Sequence, residues 1–344
     1  MERPRLASFV GTACVALAAL ALVAGLAVAL SETPGRALFF FFAGPFRTAF
    51  SFGNMINGAV PMILGALGIC VAMRAGSLNL GGEGQIYSGA FVATIAAGAL
   101  APLGHFGAFA AILAGTCFAG IMAAFSGFCK ARWGASELIT SFLLSHALIL
   151  VVNYFVTGPF LDPETNLQAT RRIPENFRFP VFLPPSSLGA TLIVALVMVA
   201  VAHAFLKYTK LGYEFRMAGE NEIFARYGGI DTKRNAVLAM FLSGAFHGLA
   251  GAMMIFGTFH RTIREFSAGL GWDALATAIV AGFFPPAVVP SGLFFSWISS
   301  GARIAMQNSD VTFEIASVAQ AAILFLATSL ALREFFRRKR EGRK

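Results

Sequence analysis

Ser77 to Ala90 reads SLNLGGEGQIYSGA: a carboxylate, Glu83, stands between two amides, Asn79 and Gln85, with glycines at 81, 82 and 84. Donors and acceptors so spaced can hold a polar solute or order water, and the glycines let the backbone break and a neighbouring chain come close. Both flanks are apolar, and polar side chains facing lipid would be costly there. Two readings fit. Either the stretch lines or gates a route for a polar solute, or it is a hairpin on the cytoplasmic side with Glu83 wetted or bonded to backbone amides. Arg74 just before it places the break near the inner surface. His146 and Asn153, about two turns apart, share a helical face and can bond a base, a sugar hydroxyl or a second helix. Enzyme chemistry finds no support, with no G-x-x-x-x-G-K-[ST] for ATP and no H-E-x-x-H for zinc. The sequence therefore predicts no catalytic residues, no metal site and no cofactor bound by this chain. Cys14, Cys70, Cys117 and Cys129 form no C-x-x-C and read as small packing residues.

The elements that must position these groups are membrane helices. Only 12% of the 344 residues are charged, about half the share in soluble domains. A crossing needs about 20 apolar residues, which predicts spans at 6–30, 53–73, 84–101, 104–128, 136–157, 188–207, 235–257, 272–284, 290–306 and 315–332. The expected fold is all-α, a polytopic transmembrane bundle of about ten spans forming one domain over 1–344. Broken or short helices are expected near 77–85 and around FPPAVVP at 284–290. Lys and Arg concentrate in the loops on the side of the N-terminus, at 74, 130, 132 and across 207–234. That bias puts both termini in the cytoplasm, at the cell (inner) membrane. The tail 333–344 holds seven basic and two acidic residues, so five of the nine net positive charges sit there. It reads as an orientation signal touching anionic lipid, with no nucleic-acid partner. Glu137 is placed to favour the positive end of the fifth span, His247 sits among packing glycines, and Trp272 opens the eighth span as an anchor or a ring for stacking.

The loop 208–234 contains KLGYEFRMAGENEIFARYGGIDTKRN. Glu220 or Asn221 can cap a short helix ended by Gly228 and Gly229. Ile223, Phe224 and Tyr227 make one apolar face that must be covered, either by this protein or by a cytoplasmic partner. This segment and the helix after it resemble ATP-binding cassette (ABC) permeases of the branched-chain amino acid, ribose and nucleoside type. The matching residues are Arg216, Gly219, Glu220, Asn221, Ala225, Arg226, Tyr227, Gly229 and Ile230, then Ser243, Gly244, Gly248, Leu249, Ala250 and Gly251. The stretch SLNLGGEGQ is similar to the family's F-N-x-G-x-E-G-Q, and SELITSFLLSHALILVVNYF to its fifth-helix region. Leu78 departs from the usual Phe, Ser145-His146 from Asn-Tyr, and FFPPAVVPSG from a Gly- and Asn-rich turn.

The resemblance implies half of an importer pathway for nucleosides or related simple sugars. A second permease subunit, homologous or identical, completes the pathway; a cytoplasmic ATPase uses ATP, and an extracytoplasmic binding protein delivers solute. Residues Arg216, Gly219, Glu220, Asn221, Phe224, Ala225, Arg226, Tyr227 and Gly229 would couple to the ATPase. Asn79, Glu83, Gln85, His146 and Asn153 would border the pathway. The alternative is a proton-coupled secondary transporter acting through Glu83 or Glu137.

Overall fold

The computed structural model describes residues 31–312 and the isolated positions 21, 25, 318 and 321. Apart from those positions, the expected first and tenth spans and the basic tail lie outside the described residues. The described chain is helical, without named strands. Its helices are α1 (Pro34–Phe42), α2 (Ala49–Arg74), α3 (Gly82–Ala99), α4 (Gly104–Trp133), α5 (Glu137–Thr157), α6 (Thr191–Tyr208), α7 (Lys210–Glu220), α8 (Glu222–Tyr227), α9 (Thr232–Met254), α10 (Leu270–Val280) and α11 (Val288–Asn308). Among the described residues, five helical segments are long and apolar enough to cross a membrane: Ala49–Arg74, Ala101–Trp133, Glu137–Thr157, Thr191–Tyr208 and Thr232–Phe259. A bent pair, Leu270–Val280 with Pro285–Asn308, turns through 119° and adds a sixth if counted as one broken span. The helix breaks fall near the expected places, at 75–81 and 281–284.

The chain divides into two units, Asn57–Gly292 and Met1–Ile56 with Leu293–Lys344. In the second, Asp310 accepts hydrogen bonds from the Ser31 hydroxyl at 2.7 Å, the Glu32 amide at 2.6 Å and the Thr33 hydroxyl at 3.0 Å. The Ser31 hydroxyl and then the Glu32 amide hold its carboxyl down at about 2, below its ordinary 3.8. Trp297 donates to the Phe42 carbonyl at 3.2 Å.

In the larger unit, α9 packs against α3 and α4 along small residues. A Cβ on Gly89 would come 2.6 Å from the Gly248 Cα, and one on Gly251 would strike the Ile86 carbonyl. Small residues let backbones approach where side-chain burial against lipid gives no driving force. Helix α3 is largely enclosed by protein, with Gly84 to Ala90 all buried. That enclosure explains its run of Gly, Ala, Ser and Thr.

The eighth expected span, 272–284, is short, as expected of a segment flanking FPPAVVP. Its helix α10 has 11 residues, about 16 Å at 1.5 Å per residue, roughly half the hydrocarbon thickness. Before it, residues 260–269 form a non-helical strap running antiparallel along α3. The Thr262 hydroxyl meets that of Thr94 at 2.8 Å, the Glu265 amide donates to the Tyr87 hydroxyl at 3.1 Å, and the Gly269 amide donates to Glu83 at 3.0 Å. The strap therefore descends from residue 94 of α3 to residue 83. His260, Glu265 and Ala268 take positive φ (58°, 54° and 41°), a conformation that L-residues adopt at a cost. These backbone angles prevent a continuous helix.

The inner loop differs from expectation. It holds two helices, because Thr209 caps the Gly212 amide at 3.0 Å and starts α7 before α8 begins.

Candidate functional site at the break before α3

Helix α3 begins with amides that have no partner within the helix, and neighbouring elements supply them. Ser145 of α5 accepts from the Gly84 amide at 2.8 Å, and Ser141, one turn earlier, accepts from the Leu80 amide at 3.1 Å. Asn79 and Gln85 close on each other reciprocally, Asn79 donating at 2.7 Å and Gln85 at 3.0 Å. Asn79 also donates to Ser243 of α9 at 3.1 Å and accepts from the Gly81 amide at 2.9 Å. With 1% and 2% of their surface exposed, these two amides are buried in the wall. In this conformation they bond to each other, and Asn79 also to Ser243 and the Gly81 amide.

Glu83 is different. Its two carboxylate oxygens accept from the Gly269 amide at 3.0 Å and the Gly271 amide at 2.7 Å, and the side chain stays partly exposed. Glu83 thus bonds to backbone amides, as the second initial reading has it, and remains partly exposed. Glu137 sits in the first turn of α5, as expected, and also makes an ion pair. It takes the Lys130 ammonium at 2.7 Å, and the same ammonium holds the Gly76 carbonyl at 3.0 Å and the Ser77 hydroxyl at 3.1 Å. One cation thus ties the break to the α4–α5 turn.

Asn153 and His146 part company. Asn153 accepts from the Tyr87 hydroxyl at 2.7 Å and donates to Glu265 at 3.0 Å, which locks α5 to α3 and the strap. His146 is exposed, with Nδ1 3.1 Å from the Phe142 carbonyl. Trp272, through Gly271, stands level with Glu83 beside the start of α3, far along the strap from the end of α9. His247 is buried. Its Nδ1 lies 2.8 Å from the Ser243 carbonyl, its Nε2 has no partner, and a Cβ on Gly82 would come 2.7 Å from that Nε2. The packing role expected for it fits this placement.

In the inner loop, Asn221 accepts from the Phe224 amide at 3.0 Å and caps α8. Arg226 donates to Glu222 at 2.6 Å and to Thr232 at 2.9 Å. Ala225 is buried, but Phe224 is 65% and Tyr227 88% exposed. Among the described residues, nothing covers this apolar face. Arg216 lies half-buried on α7, Gly219 and Glu220 are exposed at its end, Gly219 packs on the Arg74 carbonyl, and Gly229 takes φ of 80°.

Residues 51–328 match the model of the family described as "Branched-chain amino acid transport system / permease component". The chain belongs to this permease family. A probable riboflavin import permease of Treponema pallidum (strain Nichols) is 33% identical over 92% of this chain and 84% of its own. A glucose ABC transporter permease of Haloferax volcanii is 30% identical, over 95% and 88%. A guanosine ABC transporter permease of Bacillus subtilis (strain 168) is 29% identical, over 96% and 94%. The permease is thus a multi-pass membrane transport component. Sequence reasoning missed Tyr87, Ser141 and Glu265. Ser141 and Ser145 were legible as one-turn neighbours on one face. Glu265 carried no local signal, because its partner Tyr87 is 178 residues away.

Proposed function

We propose that this chain is the permease subunit of an ATP-binding cassette importer for nucleosides or related simple sugars. The face of α8 carries the reading: a capped six-residue helix leaves Ile223, Phe224 and Tyr227 exposed among the described residues, and a secondary carrier has no use for it. A cytoplasmic ATPase docks there, and a second permease subunit completes the pathway. An extracytoplasmic binding protein delivers solute on the other side. ATP serves the ATPase alone. Both termini face the cytoplasm in the inner membrane. Glu83, His146 and Asn153 border the pathway, while Asn79 and Gln85 hold its wall in shape. The guanosine, riboflavin and glucose permeases among the relatives support a small, polar, uncharged or weakly charged cargo.

Purified complex in vesicles tests this against proton coupling. Uptake should require ATP on the ATPase side and be indifferent to an imposed pH gradient. Gradient-driven uptake without ATP would reverse the assignment.

A further inference from the structure

We propose that Arg36 and Arg47, gathered round the Phe40 ring, bind the phosphate of an anionic phospholipid in the leaflet at the start of α2. Helix α1 has nine residues, about 14 Å at 1.5 Å per residue, roughly half the hydrocarbon thickness. It is too short to cross, yet it ends in four consecutive phenylalanines, Phe39 to Phe42. One side is fixed by protein. Ala37 and Phe41 are buried, Trp297 donates to the Phe42 carbonyl at 3.2 Å, and a Cβ on Gly301 would strike the Phe41 carbonyl. The other side is open, with Phe39 52% and, just beyond the helix, Phe46 57% exposed.

Both arginines meet at this aromatic cluster. The Arg36 guanidinium lies 5.9 Å from the Phe40 ring centre, and that of Arg47 lies 5.3 Å from the same centre and 5.5 Å from that of Phe39. Ring faces attract such cations, so one phenyl ring keeps two like charges in one neighbourhood. Both arginines are exposed, and among the described residues neither forms an ion pair. Asp310, an acid of the same unit, is taken by the Ser31 and Thr33 hydroxyls and the Glu32 amide. The cluster is thus positive and uncompensated.

Depth and charge together decide the occupant. Arg47 stands two residues before Ala49, where the apolar helix Ala49–Arg74 begins, and the start of a crossing lies at the lipid headgroups. Phe50, 53% exposed in the first turn of that helix, leads down toward the acyl chains. Guanidinium N–H edges match the oxygens of a phosphate, and the phenyl rings beside them suit the ester and upper acyl carbons of the same molecule. A protein partner would have to present carboxylates and apolar surface together at this depth. An anionic phospholipid brings both. In the orientation proposed above, the leaflet is the outer one.

The test uses the full-length protein in mild detergent, with added phosphatidylglycerol, phosphatidylcholine or inorganic phosphate, and bound lipid counted by native mass spectrometry. Wild type should bind phosphatidylglycerol about tenfold more tightly than phosphatidylcholine, the scale on which two surface arginines act on anionic lipid. Arg36→Gln with Arg47→Gln should abolish that preference without changing elution on size exclusion, and Arg36→Lys with Arg47→Lys should keep part of it. Equal binding of the two lipids by wild type, or an undiminished preference in the glutamine variant, would overturn the site. Displacement of phosphatidylglycerol by inorganic phosphate at similar concentration would overturn the lipid assignment in favour of a free phosphate. A benzophenone-bearing phenylalanine in place of Phe46, with both arginines kept, reads the occupant even if the glutamine variant fails to fold. In the native membrane it should label lipid. Label on residues 1–30 or on another protein chain would overturn the proposal.

Discussion

Ser145 accepts the Gly84 amide at 2.8 Å where α3 begins. Removing its hydroxyl orphans a buried donor, which costs about 1–3 kcal/mol. Ser145→Ala should therefore lower the thermal midpoint of the detergent-solubilised protein, and Ser145→Thr should restore part of it. No shift with Ser145→Ala would show that water or another acceptor serves Gly84. Asn79→Ala should be similarly destabilising, because it strands both Gln85 and the Gly81 amide. The consequence for transport is then indirect, through the shape of the wall. Glu83→Gln belongs to another class. It keeps one acceptor for the strap amides but loses charge assistance, a difference of about 1–2 kcal/mol. Uptake should weaken several-fold and remain ATP-dependent, as measured in vesicles with and without ATP. Residue types made this site visible, but whether each polar group was free or already paired was not legible. That depended on Ser141, Ser145, Ser243 and Gly269, all more than fifty residues away.

At the scale of elements, α8 and the α3–α9 contact set the two sharpest expectations. Phe224→Asp with Tyr227→Asp puts charge on a face already exposed, so the permease should insert and fold normally. Docking should fail, because each large apolar side chain buried by a partner contributes about 1.5–3 kcal/mol. ATPase co-purification measures this, and undiminished recovery of the ATPase would remove α8 from the contact. Gly251→Val addresses the core. Its Cβ would meet the Ile86 carbonyl, so α9 must move away from α3, at a cost of about 1–3 kcal/mol or more. Lower yield of folded protein on size-exclusion chromatography is the expected result. Helix α8 was readable from its cap and terminal glycines. Helix α7 was not, because its start rests on Thr209 and its buried Phe215 packs on Phe205 of α6, 5.8 Å between centroids.

For the whole molecule, the charge bias predicts which ends face the cytoplasm. A cysteine at Gln168 should react with an impermeant thiol reagent added outside, and one at Glu222 only after the membrane is opened. Both positions are exposed, so reversed labelling would reverse the orientation. The long loop 158–187 meets the strap through the Ala169–Ile263 bridge and the Thr170–Thr262 hydrogen bonds. Labelling at Gln168 therefore also reports the side from which the strap departs.

Apolar run length and the placement of Lys and Arg determined the class and the expected orientation, because bilayer thickness and surface charge act on local sequence alone. Glycines and polar residues in SLNLGGEGQ likewise marked the break, since helix continuity is a local property. The strap was decided only by tertiary structure. Residues 260–269, with Arg261, Arg264 and Glu265, read only as a loop between two expected spans, and their course along α3 exists because α3 offers Thr94, Tyr87 and Glu83 as partners in order. Hydrogen bonding between segments some 170–190 residues apart has no local signature, and at membrane depth it is what makes an irregular backbone tolerable.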